Sequence, residues 1–486
     1  MSAIDSIFSV FTAAFKLLNN YFWCVSFVFL IGLGIIFTIK LRGLQLARIG
    51  ETSRLALSGV KSGKTSSRLS SFEAFCLSMG ARIGVGNIAG VATAIATGGP
   101  GAVFWMWIFA IIGSVSSFME STLAQIYKEP KSDGSFHGGP AYYTTKGLNS
   151  RTLGVVVAVL LVITFGIGFI GVQSCNASNA LCGAFDFGNN HLVFATIIAA
   201  LTAAVIFSGV KKIGKFSASI VPIAAVLWIV FALIALCLNY ANIGNAVAMI
   251  FQYAFDVPAL IGGGIGTIIV TGLKRGVFSN EAGLGSVANI AATADVKHPV
   301  KQGLIQSFGV LVDTLIVCTV TALVVLSYGA WDTLALDFAF GTDNAVEGAN
   351  LVQGIVSSTA IGVAANYIIA AFLFIFAFTS MVGYYTMSES NARFARDDKK
   401  VILIVRVAIV LVAFASANLT EVSLMDTISD TFMAAMAAVN MIVVALLSRK
   451  VFEAYADYRK QKNAGIEEPE FHRDVLSDST GVTEWE

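Results

Sequence analysis

The sequence predicts an all-α integral membrane protein with about eleven transmembrane helices. Three observations carry that prediction: the composition, the length of the apolar runs and the placement of the basic residues. Of 486 residues, 56% are hydrophobic and 13% charged, and the mean hydropathy is +0.78. A soluble domain carries about 25% charged residues. A soluble chain of this length could not cover its surface with so few polar side chains, which excludes soluble enzymes, disordered scaffolds and nucleic-acid binders. The 31 basic and 30 acidic residues leave a net charge of +1, so total charge names no partner.

A bilayer core is crossed by about 20 apolar helical residues. Runs of that kind lie at 21–39, 73–97, 101–127, 152–175, 191–209, 216–238, 260–291, 302–327, 359–387, 401–418 and 424–447. Barrel strands would alternate in hydrophobicity over about ten residues, whereas Ala195–Ile206 is apolar throughout apart from two threonines. Helices are therefore expected. Residues 1–20 read as a short outer or interfacial segment, with no cleavable signal pattern. Residues 21–448 read as the transmembrane domain, and 449–486 as a cytoplasmic tail: a charged helix, then a loose end carrying Pro469.

Orientation follows from the Lys and Arg in the loops. One set of alternate loops, with the tail, holds 27 of the 31 basic residues, and the opposite side holds only Lys16. Arg82, Lys274 and Arg275 fall within or near helices. This distribution predicts an outside N-terminus and a cytoplasmic C-terminus in a plasma membrane. It also supports the helix count, because one missed or invented span would scramble the alternation. The six cysteines lie mostly in apolar runs without metal spacing and read as packing residues. Cys175 and Cys182 near the outer face are close enough to pair, but no disulfide is expected. The four histidines, His137, His191, His298 and His472, fall in loops or the tail and read as solvated surface.

Two of the apolar runs are interrupted. The second carries Gly80, Gly84, Gly86 and Gly90 with Arg82 and Asn87; the seventh carries Gly262–Gly264, Gly266, Gly272, Gly276, Gly283 and Gly285 with Lys274, Arg275 and Glu281. Glycine costs about 1 kcal/mol in a helix relative to alanine, and charge at mid-depth costs several. Such backbone persists in a membrane where it lines a cavity or is buried in protein. The breaks fall in the first helix of each of two five-helix sets, about 73–238 and 260–447. Five is odd, so the two sets run in opposite directions. Paired interrupted helices in inverted halves point to a transporter's midplane site. Half-helix N-termini there suit a carboxylate, and unwound carbonyls suit an ammonium group or a sodium ion. The alternative is that the glycines only allow close helix packing. The run Gly84-x-Gly86-x-x-x-Gly90 misses the nucleotide-binding spacing and opens no βαβ unit. Buried Glu120 and Asp313 need partners: ion pairs with Arg82 or Arg275, or a role in coupling.

The stretches Gly84–Ala92, Gly98–Trp107 and Phe278–Ser286, with Leu123–Tyr127 and Gly138–Ala141, closely resemble the alanine or glycine:cation symporters. The resemblance covers nearly the whole chain. It implies the inverted-repeat fold of the amino acid–polyamine–organocation transporters with one extra helix in front. It implies a plasma-membrane carrier in which sodium, or in some members protons, drives uptake of a small neutral amino acid. By position, the backbone around Gly84, Val85 and Gly86 would receive the substrate carboxylate. Carbonyls near Ala81 and in a break around Phe278 and Ser279 would take the ammonium, with Gln173 as a polar contact or an interhelical hydrogen bond. A cation site between the second and ninth helices would use carbonyls of Gly80 and Ile83 and hydroxyls of Thr379 and Ser380, with Na⁺ as the expected ion. No organic cofactor, nucleic acid or obligate protein partner is expected beyond substrate, coupling ion and bilayer.

Three other readings stand beside this one. Glutamine as cargo, or protons as the driving ion, keeps the same fold. An ion channel would use the glycine-rich breaks as a filter, but it normally needs subunits around an axis rather than inverted halves. A membrane-embedded enzyme would need clustered His, Asp or Cys at depth, which the chain lacks.

Overall fold

Residues 3–57, 68–131, 134–186, 190–208, 210–255, 264–328, 348–357, 362 and 364–485 are described in the computed structural model. Their elements are α1 (Ala3–Lys40), α2 (Ile49–Leu57), α3 (Ser71–Arg82), α4 (Ala89–Gly98), α5 (Gly101–Ile126), a two-stranded hairpin (β1, Glu129–Pro130; β2, Phe136–His137), α6 (Pro140–Gly147), α7 (Arg151–Phe185), α8 (Leu192–Ile206), α9 (Val210–Leu238), α10 (Ile243–Ala254), α11 (Gly264–Asn280), α12 (Ser286–Ala291), α13 (Pro299–Tyr328), α14 (Ala349–Ser357), α15 (Ala364–Ala395), α16 (Lys399–Ala417) and α17 (Ser423–Asn463). Each apolar run of the sequence is helical across most of its described residues. Among these, eight helical stretches are long and apolar enough to cross a bilayer, and α4 and α8 are shorter apolar helices. The starts of the runs at 260–291 and 359–387 lie outside the described residues.

Burial divides the helices into two kinds. α9 exposes Ile223, Val226, Leu227, Val230, Leu233 and Ile234, and α16 exposes Leu403, Ile404, Val407 and Leu411. Large apolar side chains exposed at helical spacing are the surface a bilayer covers. The inner helices reverse that pattern: α5 buries Ser114, Ser116, Ser117, Glu120, Ser121, Thr122 and Gln125. α5 packs against α11 and α13, α7 against α15, and α1 against α17. The polar interior thus forms around α5 and the helices packed on it, with apolar faces such as those of α9 and α16 on the outside.

α3 starts with a capping box. Glu73 N donates to Ser70 Oγ at 3.2 Å and Ser70 N donates to Glu73 Oε2 at 2.8 Å, so two otherwise orphaned donors are satisfied. α3 is 12 residues long and α4 is 10, which at 1.5 Å per residue is about 18 and 15 Å, each near half a bilayer core. The chain between them is extended at Gly84 (φ −127°, ψ −158°) and then makes one tight turn over Val85–Asn87.

The interruption after α11 is of another kind. Glu281, Gly283 and Gly285 all take left-handed φ values, of 57°, 83° and 73°. Glycine adopts that region at no steric cost, while Glu281 pays for it. The break therefore begins at Glu281. Phe278 and Ser279, expected in the break, instead form the last helical turn of α11. Asn280 Oδ1 accepts from Ala282 N at 3.0 Å, and Glu120 Oε2 accepts from Gly285 N at 2.9 Å, so a carboxylate sits at the N-terminus of α12. Two wider helical turns, at Thr164–Phe169 in α7 and Val312–Cys318 in α13, bulge toward the same region.

Three further expectations change. The segment expected at 1–20 is not separate, since α1 runs unbroken from Ala3 to Lys40. The end of the tail is not loose. Phe471, Leu476, Val482 and Trp485 are buried, and Trp485 Nε1 donates to Gln125 O at 3.0 Å. Phe471 N donates to Lys297 O at 3.0 Å, and Lys450 pairs with Asp478 at 2.8 Å. Charge dominates the tail's composition, but four apolar anchors decide where it goes. Lastly, His191 and His298 are buried rather than solvated. His298 packs on the Tyr458 and Phe471 rings and caps α13 by accepting from Val300 N at 3.2 Å. His191 Nδ1 lies 3.2 Å from Ser178 Oγ and 3.3 Å from Cys182 Sγ. All six cysteines are free.

Candidate binding site at the two helix breaks

The break after α3 exposes backbone groups that a continuous helix would have used. Gly84 N donates to Asn87 Oδ1 at 3.0 Å, and the side chain thereby closes the turn. Val85 N donates to Gln173 Oε1 at 3.0 Å, from α7. The expected polar contact of Gln173 is thus an interhelical hydrogen bond onto the expected carboxylate-binding backbone. A Cβ at Gly84 would lie 2.6 Å from Ser380 Oγ and 2.8 Å from Gln173 Nε2. A side chain at this position would require both of these side chains to shift.

On the other side of the break, α15 crosses α3. Ser380 Oγ donates to Gly80 O at 3.0 Å and lies 3.4 Å from Ile83 O. Three of the four groups expected at the cation site therefore converge. Hard oxygen ligands of this kind are the donor set an alkali cation takes. The fourth group, Thr379, turns its hydroxyl to its own helix, donating to Ile375 O at 3.0 Å and Phe376 O at 3.1 Å. That local bond is a common fate of threonine in membrane helices. Ala81 O, expected to meet an ammonium, accepts from Tyr384 OH at 2.9 Å.

The second break is tied to the first through α13. Asp313 accepts from Asn87 Nδ2 at 2.7 Å through Oδ1 and from Ser279 Oγ at 2.7 Å through Oδ2. One buried carboxylate thereby bridges the unwound segment after α3 and the last turn of α11. Phe278 approaches the same place, since a Cβ at Gly86 would lie 3.2 Å from its ring. The Phe278 ring packs on Phe169 at 4.8 Å, and Phe169 on Tyr384 at 5.3 Å, giving the region an aromatic wall. A narrow crevice lined by Val85, Val172, Asn176, Phe278, Arg275 and Asp426 runs beside it.

The buried arginines do not take the partners the sequence suggested. Arg82 donates through Nε to Asn280 O at 2.9 Å, through Nη1 to Gln306 O at 3.1 Å and through Nη2 to Ser117 Oγ at 2.9 Å. Arg275 pairs with Asp426 at 3.1 Å and Asp430 at 2.7 Å. Among the described residues, neither Glu120 nor Asp313 forms an ion pair. Arg82 instead fastens the end of α11 to α5 and α13.

Ten of the eleven expected residues, all but Thr379, thus contact one another or the partners just named around the two breaks. Tyr384, Phe169 and the hydrogen-bonding role of Asn87 were not anticipated. Tyr384 is four residues beyond Ser380, hence on the same helical face, and that spacing is the one signal the sequence offered. The arrangement brings amide donors, carbonyl acceptors and a carboxylate together in the buried interior around the two breaks.

Comparison with known proteins agrees with this geometry. A model of the sodium:alanine symporter family matches residues 8–473. The protein named "Probable sodium/glutamine symporter GlnT" of Bacillus subtilis is 44% identical, over 96% of this chain and 94% of its own. The sodium/alanine symporter AgcS of Methanococcus maripaludis is 37% identical, over 93% of this chain and all of its own length, 100%. The crystal structure of MhsT in complex with L-phenylalanine superposes with a TM-score of 0.60, over 79% of this chain and 90% of that one, at 15% identity. The two proteins share a fold. A family match along nearly the whole chain, in relatives of the same length, leaves one conclusion: the chain is a multi-pass membrane transporter that belongs to the sodium:alanine symporter family.

Proposed function

We propose that the chain imports alanine or glycine together with sodium by alternating access. The observation that carries this reading is the break at Gly84. Val85 N faces Gln173 and Gly84 N faces Asn87, while the carbonyls of Gly80 and Ile83 face Ser380, so donors for a carboxylate and oxygens for a cation lie at the end of α3 and the turn that follows it. The substrate carboxylate binds Val85 N and the backbone of Gly84 and Gly86, displacing the Gln173 oxygen, which turns to contact the ligand. The ammonium meets carbonyls at the end of α3 and in the last turn of α11, near Ala81, Phe278 and Ser279. The Phe278 ring and the absence of a side chain at Gly84 keep the space small. Sodium takes Gly80 O, Ile83 O and Ser380 Oγ, with Thr379 completing the shell once its hydroxyl leaves its own helix.

In this reading the two five-helix halves are inverted repeats, the N-terminus is outside and the basic loops are cytoplasmic. Each positive charge moved inward gains about 2.3 kcal/mol per 100 mV of membrane potential. Coupling then requires that the loaded and the empty carrier reorient and that the half-loaded carrier does not. Sodium supports this because it replaces the Ser380 bond that holds α15 to the end of α3, so cation and substrate rearrange the same few residues.

Glutamine is a second reading for the cargo, favoured by the 44% identity to the protein named for sodium/glutamine symport. Thermal-shift titration of the detergent-solubilised protein with alanine, glycine and glutamine, each in sodium and in choline, separates the two. Stabilisation by alanine or glycine in sodium only is expected. Stabilisation by glutamine alone would replace the cargo, and equal shifts in choline would remove sodium from the site.

A further inference from the structure

Where α1 ends, the chain turns sharply. Arg42 and Gly43 both take left-handed φ values, of 56° and 64°. Gln45 pins the turn by donating to Thr38 Oγ1 at 3.0 Å and Ile111 O at 3.4 Å. The turn delivers a short helical stretch and then α2, on which Leu46, Ile49 and Leu57 are large, apolar and exposed, as is Ile39 on α1. Apolar side chains exposed at the end of a spanning helix, beside arginines, mark a segment lying at the membrane interface.

Between this segment and the extended end of α17 lies an open cavity of about 410 Å³, lined by Leu41, Arg42, Arg48, Glu51, Tyr455 and Arg459 among others. Three guanidinium groups face one carboxylate. Arg48 is committed to Glu51 at 2.5 Å, and the other Glu51 oxygen accepts from Tyr458 OH at 2.8 Å. Arg42 and Arg459 have no carboxylate partner among the described residues; Arg459 rests over the Tyr455 ring at 5.9 Å. The cavity is thus built with two guanidinium charges left over. Guanidinium forks match phosphate oxygens in pairs. The apolar side chains at the rim match what a phospholipid carries next to its phosphate.

We propose that this cavity binds the phosphate of an anionic phospholipid, with its acyl chains lying along Leu46 and Ile49. Basic pockets between membrane helices, on the side rich in Lys and Arg, are where such headgroups bind. The inference needs the chain to sit in a bilayer and is independent of which amino acid it carries. An occupied site would add a lipid-mediated tie to the protein contacts that already join α1 and α2 to the end of α17.

Native mass spectrometry of the full-length, detergent-purified chain tests this, with titrations of phosphatidylglycerol, phosphatidylcholine and inorganic phosphate. Wild type should retain phosphatidylglycerol in preference to phosphatidylcholine, and inorganic phosphate should not displace it. The double variant Arg42→Ala/Arg459→Ala should bind phosphatidylglycerol about thirty-fold more weakly, at about fivefold for each charge removed. Arg42→Gln alone, a change at an exposed residue, should give the fivefold loss and serves if the double variant does not fold. Arg42→Lys/Arg459→Lys should keep most of the binding. Equal retention by wild type and the alanine variant would overturn the proposal, as would equal retention of the two lipids. Displacement by inorganic phosphate at comparable concentration would assign the cavity to a free anion and overturn the lipid.

Discussion

Adding one methyl group at Gly84 should damage both halves of the site at once. The backbone there is extended, so alanine brings no conformational strain, and its effect must come from space. The new Cβ would lie 2.6 Å from Ser380 Oγ and 2.8 Å from Gln173 Nε2, where ordinary contacts begin near 3.4 Å. Both side chains must move by several tenths of an ångström. Ser380 then loses its bond to Gly80 O, a neutral hydrogen bond worth about 1 kcal/mol net. Gln173 withdraws from Val85 N, and a buried donor left unpaired costs about 1–3 kcal/mol. The same displacement takes Ser380 Oγ out of the sodium shell and Gln173 away from the ligand, so a comparable cost of about 2–4 kcal/mol falls on the loaded state and corresponds to a loss of about thirty- to a thousand-fold in apparent affinity, at 1.4 kcal/mol per tenfold. The assay is sodium-driven uptake of labelled alanine into proteoliposomes as a function of both sodium and alanine. Gly84→Ala should raise the half-saturating concentration of each, and Gly84→Leu should abolish uptake with the protein still in the membrane. Gly32→Ala, at a position where a Cβ meets nothing within 4 Å, should behave as wild type. Uptake by Gly84→Ala within twofold of wild type in both titrations would refute the reasoning.

Other perturbations separate the remaining contacts. Ser380→Ala removes a converging oxygen and should raise the sodium concentration for half-maximal uptake about tenfold; Thr379→Ala, whose hydroxyl bonds its own helix, should have the smaller effect. Sodium titration of uptake in the two variants checks the order. Asp313→Asn keeps the shape but cannot accept from both Asn87 and Ser279. Hydrogen bonds to a charged group are worth about 1.5–3 kcal/mol each, so the variant should melt several degrees lower in detergent and lose uptake, as thermal denaturation and transport measure. Burial holds His298 below the ordinary histidine range against the pull of Asp457. A depressed value means that the docked tail is stable above about pH 6.5 and loses stability as pH falls below it, because the released form takes up the proton first. Limited proteolysis should cut the tail faster at pH 5 than at pH 7.5, and His298→Gln should flatten that difference. Trp485→Ala, which removes a buried ring and its bond to Gln125 O, should speed cleavage at both pH values.

Much of the architecture was legible because the bilayer imposes simple rules. Apolar runs of helical length became helices, and the first interruption was legible at Gly84 because a glycine, an arginine and an asparagine crowd one turn. The second interruption was misplaced by a few residues. Phe278 and Ser279 sit inside a conspicuous motif, yet the chain leaves the helix at Glu281, a residue that composition does not mark as a left-handed turn. Ser380 and Gln173 came from the resemblance to the symporter family, whereas the tertiary partners of Arg82 did not follow from it. Its bonds run to the carbonyls of Asn280 and Gln306, and carbonyls are present at every residue and leave no trace in a sequence. The tail misled for the opposite reason. Its charges predict solvation, whereas Phe471, Leu476, Val482 and Trp485, spaced irregularly, have no periodicity by which to be found.

Cation and amino acid, in the proposed function, share the segment around Gly84 and so move together. The most direct test is the accumulation of labelled alanine in proteoliposomes with sodium and proton gradients imposed separately. An inward sodium gradient should drive alanine to an internal concentration above the external one, an inside-negative potential should increase it, and a proton gradient alone should not drive it. Equilibration without accumulation under the sodium gradient, or an ohmic current in the absence of any amino acid, would contradict the account.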